Sequence, residues 1–91
     1  MKVIRVRIHG RVQGVWYRAW TVEQARRLEL DGWVRNRSDD TVEALFAGSA
    51  TQVDAMLALC HEGPPRAAVE RIELEAVAER PEQGFRKLPT L

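Results

Sequence analysis

Three features of this 91-residue chain predict an α+β sandwich in the order β-α-β-β-α-β, with a mostly antiparallel sheet and two helices on one face. Several segments alternate apolar and polar side chains, the period of a half-buried strand. Two longer segments between them repeat apolar residues every three or four positions, the period of a helix lying on a core. The first strand has only one apolar face, so both helices must cover the same side of the sheet.

The elements follow in order. Lys2 to His9 place Ile4, Val6 and Ile8 on one face and Val3, Arg5, Arg7 and His9 on the other. Ala19, Val22, Ala25 and Leu28 then recur every third residue, which predicts a helix from about Arg18 to Leu30, ended by Asp31-Gly32. Trp33 to Asn36 reads as a second strand. A polar turn at Arg37 to Asp40 leads into a third, where Val42, Ala44 and Phe46 alternate with Thr41, Glu43 and Leu45. Ser49 followed three residues later by Gln52 resembles a capping box, and Val53, Met56, Leu57 and Cys60 mark the apolar stripe of a second helix. Gly63-Pro64-Pro65 stops it, because proline cannot continue the hydrogen-bond ladder. The last long strand covers about Val69 to Val77 with Ile72, Leu74 and Ala76 facing inward. Val69 and Ile72 have opposite parity, so the strand starts or bulges between them. After Pro81, Phe85 to Leu88 either add an edge strand or cover the core. Right-handed crossovers put strands 1 and 3 in the middle, the ferredoxin-like split βαβ arrangement.

Composition bounds the function. A chain that is 45% hydrophobic and 30% charged, with a net charge of +1, reads as one compact domain over residues 1–91. No run of about 18 apolar residues could span a bilayer, and the N-terminus alternates where a signal peptide would be continuously apolar, so a cytoplasmic protein without a membrane partner is expected. Cys60 is the only cysteine; it cannot form an internal disulfide or, with His9 and His61, complete a four-ligand structural zinc site. No coiled-coil pattern suggests association, so a monomer is expected. Residues 1–48 hold nine Lys/Arg against six Asp/Glu, and twelve of the fourteen cations are arginine, whose planar fork suits carboxylate and phosphate.

The stretch GRVQGVWYR, residues 10–18, obeys neither period and joins a central strand to a helix. Glycines at 10 and 14 allow positive φ, so consecutive amide N–H groups can turn inward, and the helix N-terminus adds unpaired donors. Such a cradle favours an anion, which Arg18 would close by bidentate contact. The plainer reading is a tight strand-to-helix connection with Arg18 in solvent; the glycine spacing matches neither the Walker nor the dinucleotide pattern.

The run Ile8-His9-Gly10-Arg11-Val12-Gln13-Gly14-Val15-Trp16-Tyr17-Arg18 resembles the first signature of the acylphosphatase family. Gly32-Trp33-Val34-Arg35-Asn36, with Val42 and Gly48 beyond, resembles the second. Gly63-Pro64-Pro65 with Val69 is similar to the segment that follows the second helix. Tyr17 stands where the family usually has phenylalanine, and Asp40 where it usually has glycine. The resemblance implies hydrolysis of small-molecule acyl phosphates to carboxylate and inorganic phosphate. It implies that Arg18 and the backbone amides of Gln13, Gly14, Val15, Trp16, Tyr17 and Arg18 bind the phosphate, and that Asn36 holds the attacking water. No cofactor or metal is expected, since a carboxylate leaves without a general acid and Arg18 supplies the positive charge.

The other conspicuous residues have plainer readings. Parity puts His9 on the polar face in a structural role; Cys60 reads as a core residue, and His61 as a cap for helix carbonyls. Trp16, Tyr17, Trp20 and Trp33 are expected to pack more than to bind. Arg5, Arg7, Arg35 and Arg37 either solvate the open sheet or draw anions toward the loop. Two rival functions remain. An RNA-recognition domain shares the element order, but TVEALFA lacks the aromatic-rich motif on which bases stack, so no nucleic-acid partner is expected. A non-catalytic anion-binding or accessory module of the same fold is the other.

Overall fold

The computed structural model describes all 91 residues. The elements are β1 (Lys2–Arg11), α1 (Tyr17–Arg27), β2 (Asp31–Asn36), β3 (Val42–Gly48), α2 (Ala50–Glu62), β4 (Ala68–Ala76) and β5 (Phe85–Lys87). The five strands form one mixed sheet in the order β4-β1-β3-β2-β5, with β1 and β3 central to the four long strands. Every pairing is antiparallel except β2 with β5. The arrangement is the ferredoxin-like α+β fold, with the C-terminal piece added as a parallel edge strand.

The core lies between the sheet and the helices. Ile4, Val6 and Ile8 of β1, Val34 of β2, and Val42, Ala44 and Phe46 of β3 meet Ala25, Val53, Met56 and Cys60 there. Phe46 stacks on Phe85 with ring centroids 5.5 Å apart, which draws β5 against β2. α2 begins as its local sequence dictates: Ser49 accepts from the Gln52 amide, and its hydroxyl donates to Oε1 of Gln52 at 2.9 Å. At the other end the Gly63 amide reaches the Leu59 carbonyl.

Three expectations need correcting. α1 ends at Arg27, short of Leu30: Glu29 turns to φ 56°, its amide bonds Arg26 O, and the Leu30 amide bonds Ala25 O, a Schellman closure made without glycine. The buried stripe of α1 is Tyr17, Thr21 and Ala25, with Val22 and Leu28 on its flank. Thr21 can face the core because its hydroxyl donates to the Tyr17 carbonyl at 2.8 Å. In β4, Leu74 is 57% exposed and Ala76 is exposed as well. Both share a parity with Val6 and Ile4 across the β1 ladder, but on this edge strand facing the core side does not bury them.

The irregularity in β4 falls where the parity conflict puts it. Arg71 pairs with His9 and Val69 with Gly10, so Glu70 is the extra residue of a bulge. A Cβ on Gly10 would lie 2.3 Å from Ala68 O and 2.8 Å from Glu70 N, so glycine at 10 serves the bulge as well as the loop that follows.

Candidate active site

Between β1 and α1, residues 12–16 belong to no element. Gly14 and Trp16 both turn to positive φ, 73° and 70°. Glycine does so freely; an L-residue as bulky as tryptophan is strained there by roughly 1–3 kcal/mol, a cost that concentrates at functional loops. The result is a helix N-terminus without protein partners. Trp16 occupies the N-cap position without a side-chain cap bond, the first turn has no acidic residue, and the first amide to find a backbone acceptor is Trp20, which bonds Trp16 O at 3.1 Å. The amides of Gln13, Gly14, Val15 and Trp16 donate to no protein acceptor, and those of Tyr17, Arg18 and Ala19 are the helix's own orphan donors. A run of donors at the positive end of a helix is suited to an oxyanion.

These residues border a cavity of about 230 Å³ lined by Val12, Gly14, Trp16, Tyr17, Arg18, Ala19, Asn36 and Lys87. Arg18, in the first turn of α1, and Asn36, the last residue of β2, therefore face one space. They arrive by different routes: the β1–β3 and β2–β3 ladders set the end of β2 beside the end of β1, because Asn36 and Ile8 both pair with Val42. Arg18 and Lys87 enter no ion pair, and no carboxylate lines the cavity. Asn36 is buried, and its Oδ1 has no hydrogen-bond partner. A buried acceptor left open costs about 1–3 kcal/mol unless something donates to it.

The loop is braced from behind. Nε2 of Gln13 donates to the carbonyls of Arg37 at 2.8 Å and Thr41 at 2.9 Å, tying the cradle to the turn that follows Asn36. The main-chain carbonyl of Asn36 accepts from Leu91 at 3.1 Å, so a C-terminal segment flanks β2 at this point. The turn is closed by Asp39, whose Oδ1 accepts from the Thr41 amide and hydroxyl, and Asp40 adopts φ 72° where aspartate tolerates left-handed geometry. Hydrogen bonds from Thr41 hold the Asp39 carboxyl below its ordinary pKa.

Of the residues expected at the site, Gly14, Trp16, Tyr17, Arg18 and Asn36 line the cavity. The side chains of Gln13 and Val15 do not: the first is a strut and the second packs in the core. Only their amides are available to the cradle. The indole of Trp16 is 64% exposed, contrary to the expectation that it packs, because the turn at its α-carbon swings it outward. Lys87 escaped the sequence reading. It reaches the cavity only because β5 adds to β2 in parallel, pairing Lys87 with Val34, and no local pattern announces that pairing.

The remaining polar residues are otherwise engaged. Arg5 pairs with Glu75 at 2.6 Å, and Arg7 with Asp39 at 3.2 Å. Arg35 and Arg37 converge on Glu43 at 3.0 and 3.2 Å, so these four arginines are held by carboxylates of β3, β4 and the β2–β3 turn. His9 pairs with Glu73, depressing that carboxyl's pKa. Cys60 is fully buried, its thiol pushed up to about 12 by burial, and is inert packing. His61 is exposed in the last turn of α2 and makes no capping bond; the Gly63 amide does that work. No group of three or more His, Cys, Asp or Glu could hold a metal ion, and no helix is long and apolar enough to cross a membrane.

Comparison with known proteins agrees with the geometry. The family model Acylphosphatase matches residues 4–87. An acylphosphatase of Rhodospirillum rubrum is 55% identical over 91 residues, covering 100% of both chains. Another from Rhizorhabdus wittichii is 52% identical over 87 residues, covering 96% of this chain and 88% of its own. The solved structure of an acylphosphatase from Coxiella burnetii is 33% identical and superposes with a TM-score of 0.91 over 96% of this chain and 92% of that one.

Proposed function

Because the chain belongs to the acylphosphatase family and is a hydrolase of acyl phosphates, we propose that it works by holding the phosphoryl group in the residue 13–18 cradle under Arg18, while Asn36 orients the attacking water. The observation that carries this reading is that Asn36, whose buried Oδ1 has no hydrogen-bond partner, lines the same cavity as Arg18. Oδ1 accepts a hydrogen bond from the water and so aims the water's lone pair at phosphorus. Amide side chains do not take up protons at neutral pH, so Asn36 positions the water and does not deprotonate it. The water oxygen bonds to phosphorus, the bond from phosphorus to the bridging oxygen breaks, and the carboxylate leaves with that electron pair. The proton lost by the water goes to a phosphoryl oxygen. A carboxylate needs no general acid to leave, and the protein's contribution is orientation and neutralisation of phosphoryl charge.

We read the substrate as a small molecule and the protein as a monomer that does not bind nucleic acid. The open sheet face supports this: Arg5, Arg7, Arg35 and Arg37 are ion-paired with Glu75, Asp39 and Glu43, so much of its basic charge is already engaged within the protein. The test is phosphate release from acetyl phosphate. Arg18→Ala should lower kcat/KM by at least roughly 10²–10³, as for loss of a preorganised oxyanion donor. Asn36→Ala should lower kcat while leaving inhibition by inorganic phosphate in place. Unchanged turnover in both variants rejects the mechanism.

A further inference from the structure

Residues 63–66 form a segment that the reaction as described does not use, and they lie against the cradle. Gly63 approaches the Tyr17 ring so closely that a Cβ there would sit 2.9 Å from its Cε2. The following turn is closed by the Ala67 amide on Pro64 O at 3.0 Å. Beside it is a cavity of about 440 Å³ bounded by Gly14, Val15, Trp16, Pro64, Pro65 and Arg66. Gly14 and Trp16 are the only residues it shares with the cavity of Arg18 and Asn36, so the two spaces adjoin at the strained turn.

We propose that the space between Trp16 and the Pro64-Pro65-Arg66 turn is the subsite for the acyl half of the substrate, and that it favours an aromatic acyl group. The inference rests on the cradle reading above and deepens it. In-line displacement at phosphorus places the leaving oxygen opposite the attacking water. Asn36 borders only the first cavity, so the acyl group departs over another wall, and the adjoining space opens at Gly14 and Trp16. The chemistry of its lining selects the ligand. An indole that is 64% exposed on a left-handed backbone offers a flat apolar face that the protein itself leaves uncovered. Buried Pro64 and exposed Pro65 line the same space, and their rigid rings are fixed before any ligand arrives. Arg66 enters no ion pair, leaving its guanidinium plane free to stack on a ring and to attract an anionic substrate.

The experiment compares kcat/KM for benzoyl phosphate and acetyl phosphate in the full chain and its variants, with inhibition by inorganic phosphate as a gauge of the cradle. Taking the ratio of the two substrates relative to the unsubstituted chain cancels their intrinsic reactivity. Trp16→Asn, which tolerates the left-handed backbone, should lower that ratio by about tenfold, the scale on which apolar pockets discriminate. Trp16→Phe should restore most of it. The double substitution Pro65→Ser with Arg66→Ser, which leaves the residues of the cradle itself unchanged, should lower the ratio independently. If Trp16→Asn weakens phosphate inhibition as well, the cradle has moved and the double variant decides. A ratio unchanged in the double variant and in every Trp16 variant that keeps phosphate inhibition overturns the subsite. Arg18→Ala separates the two ideas. Loss of both hydrolyses in that variant with an unmoved ratio in the others sinks only the subsite, whereas retention of both hydrolyses sinks the cradle.

Discussion

The hydroxyl of Tyr17 donates a buried 2.7 Å hydrogen bond to the main-chain carbonyl of Cys60, joining the first turn of α1 to the last turn of α2. Burial raises the hydroxyl's pKa far above its ordinary value, so it stays a donor at any pH the fold survives. The Cys60 carbonyl belongs to the helix end, where no further turn supplies an amide. Phenylalanine, usual in the family at position 17, would leave that carbonyl buried and unpaired here.

Tyr17→Phe should therefore destabilise the fold by about 1–3 kcal/mol, the cost of orphaning a buried acceptor. Urea unfolding followed by tryptophan fluorescence measures it. A midpoint equal to that of the unsubstituted chain would mean the carbonyl finds water, and the bond contributes nothing net.

The hairpin after Asn36 predicts an acid limit. Thr41 holds the Asp39 carboxyl below its ordinary pKa, so the folded value is lower than the unfolded one. A depressed acid contributes stability that is complete above the unfolded carboxylate range and is lost as pH falls through the folded value. Glu73, depressed by its hydrogen bond with His9, acts in the same sense. The stability gap between the unsubstituted chain and Asp39→Asn should be widest near neutral pH and close below roughly pH 4. Thermal unfolding from pH 3 to 7 reads this directly, and a gap independent of pH would exclude the linkage.

The parts of this molecule legible in its sequence are those decided by neighbouring residues. Ser49 with Gln52 starts α2 and Gly63 ends it through bonds no longer than one helical turn. The conflict of parity between Val69 and Ile72 locates the bulge because a strand's alternation is local. Leu74 faces the core side yet is exposed, because burial on an edge strand depends on what packs against it, a tertiary fact. Thr21 hid the true stripe of α1, since a hydroxyl satisfied by its own helix counts as polar in a pattern and apolar in the fold. At the site, the glycine-bearing loop and Arg18 were readable as an anion cradle, whereas Asn36 entered only through family resemblance: its partnership with Arg18 is made by two strand ladders.

Gly10 offers a test of that local logic. At φ 125°, with Ala68 O and Glu70 N both inside the reach of a Cβ, alanine must push main chain aside at the bulge. Gly10→Ala should cost more than about 1 kcal/mol, since here the native backbone is incompatible with a side chain. Denaturant midpoints give the value, and a neutral substitution would show that β4 can slide to regular pairing.

Lys87 and Arg18 stand unpaired around one cavity of about 230 Å³ that no carboxylate lines, so on the proposed mechanism a phosphate there would meet two cations. Arg18 sits in the first turn of α1 beside the free amides. Lys87, exposed on an edge strand, is the more solvent-screened of the two. A unit charge about 4 Å away in bulk water is worth about 1 kcal/mol, or roughly fivefold in affinity. Lys87→Met, which keeps the apolar stem, should thus weaken inhibition by inorganic phosphate about fivefold at low salt, far less than the loss expected for Arg18→Ala. Lys87→Arg should restore it. Because the interaction is exposed, the deficit should fade in 1 M salt, where screening acts within about 3 Å. Equal inhibition constants for Lys87→Met and the unsubstituted chain at low salt would remove Lys87 from the site and leave Arg18 as its working cation.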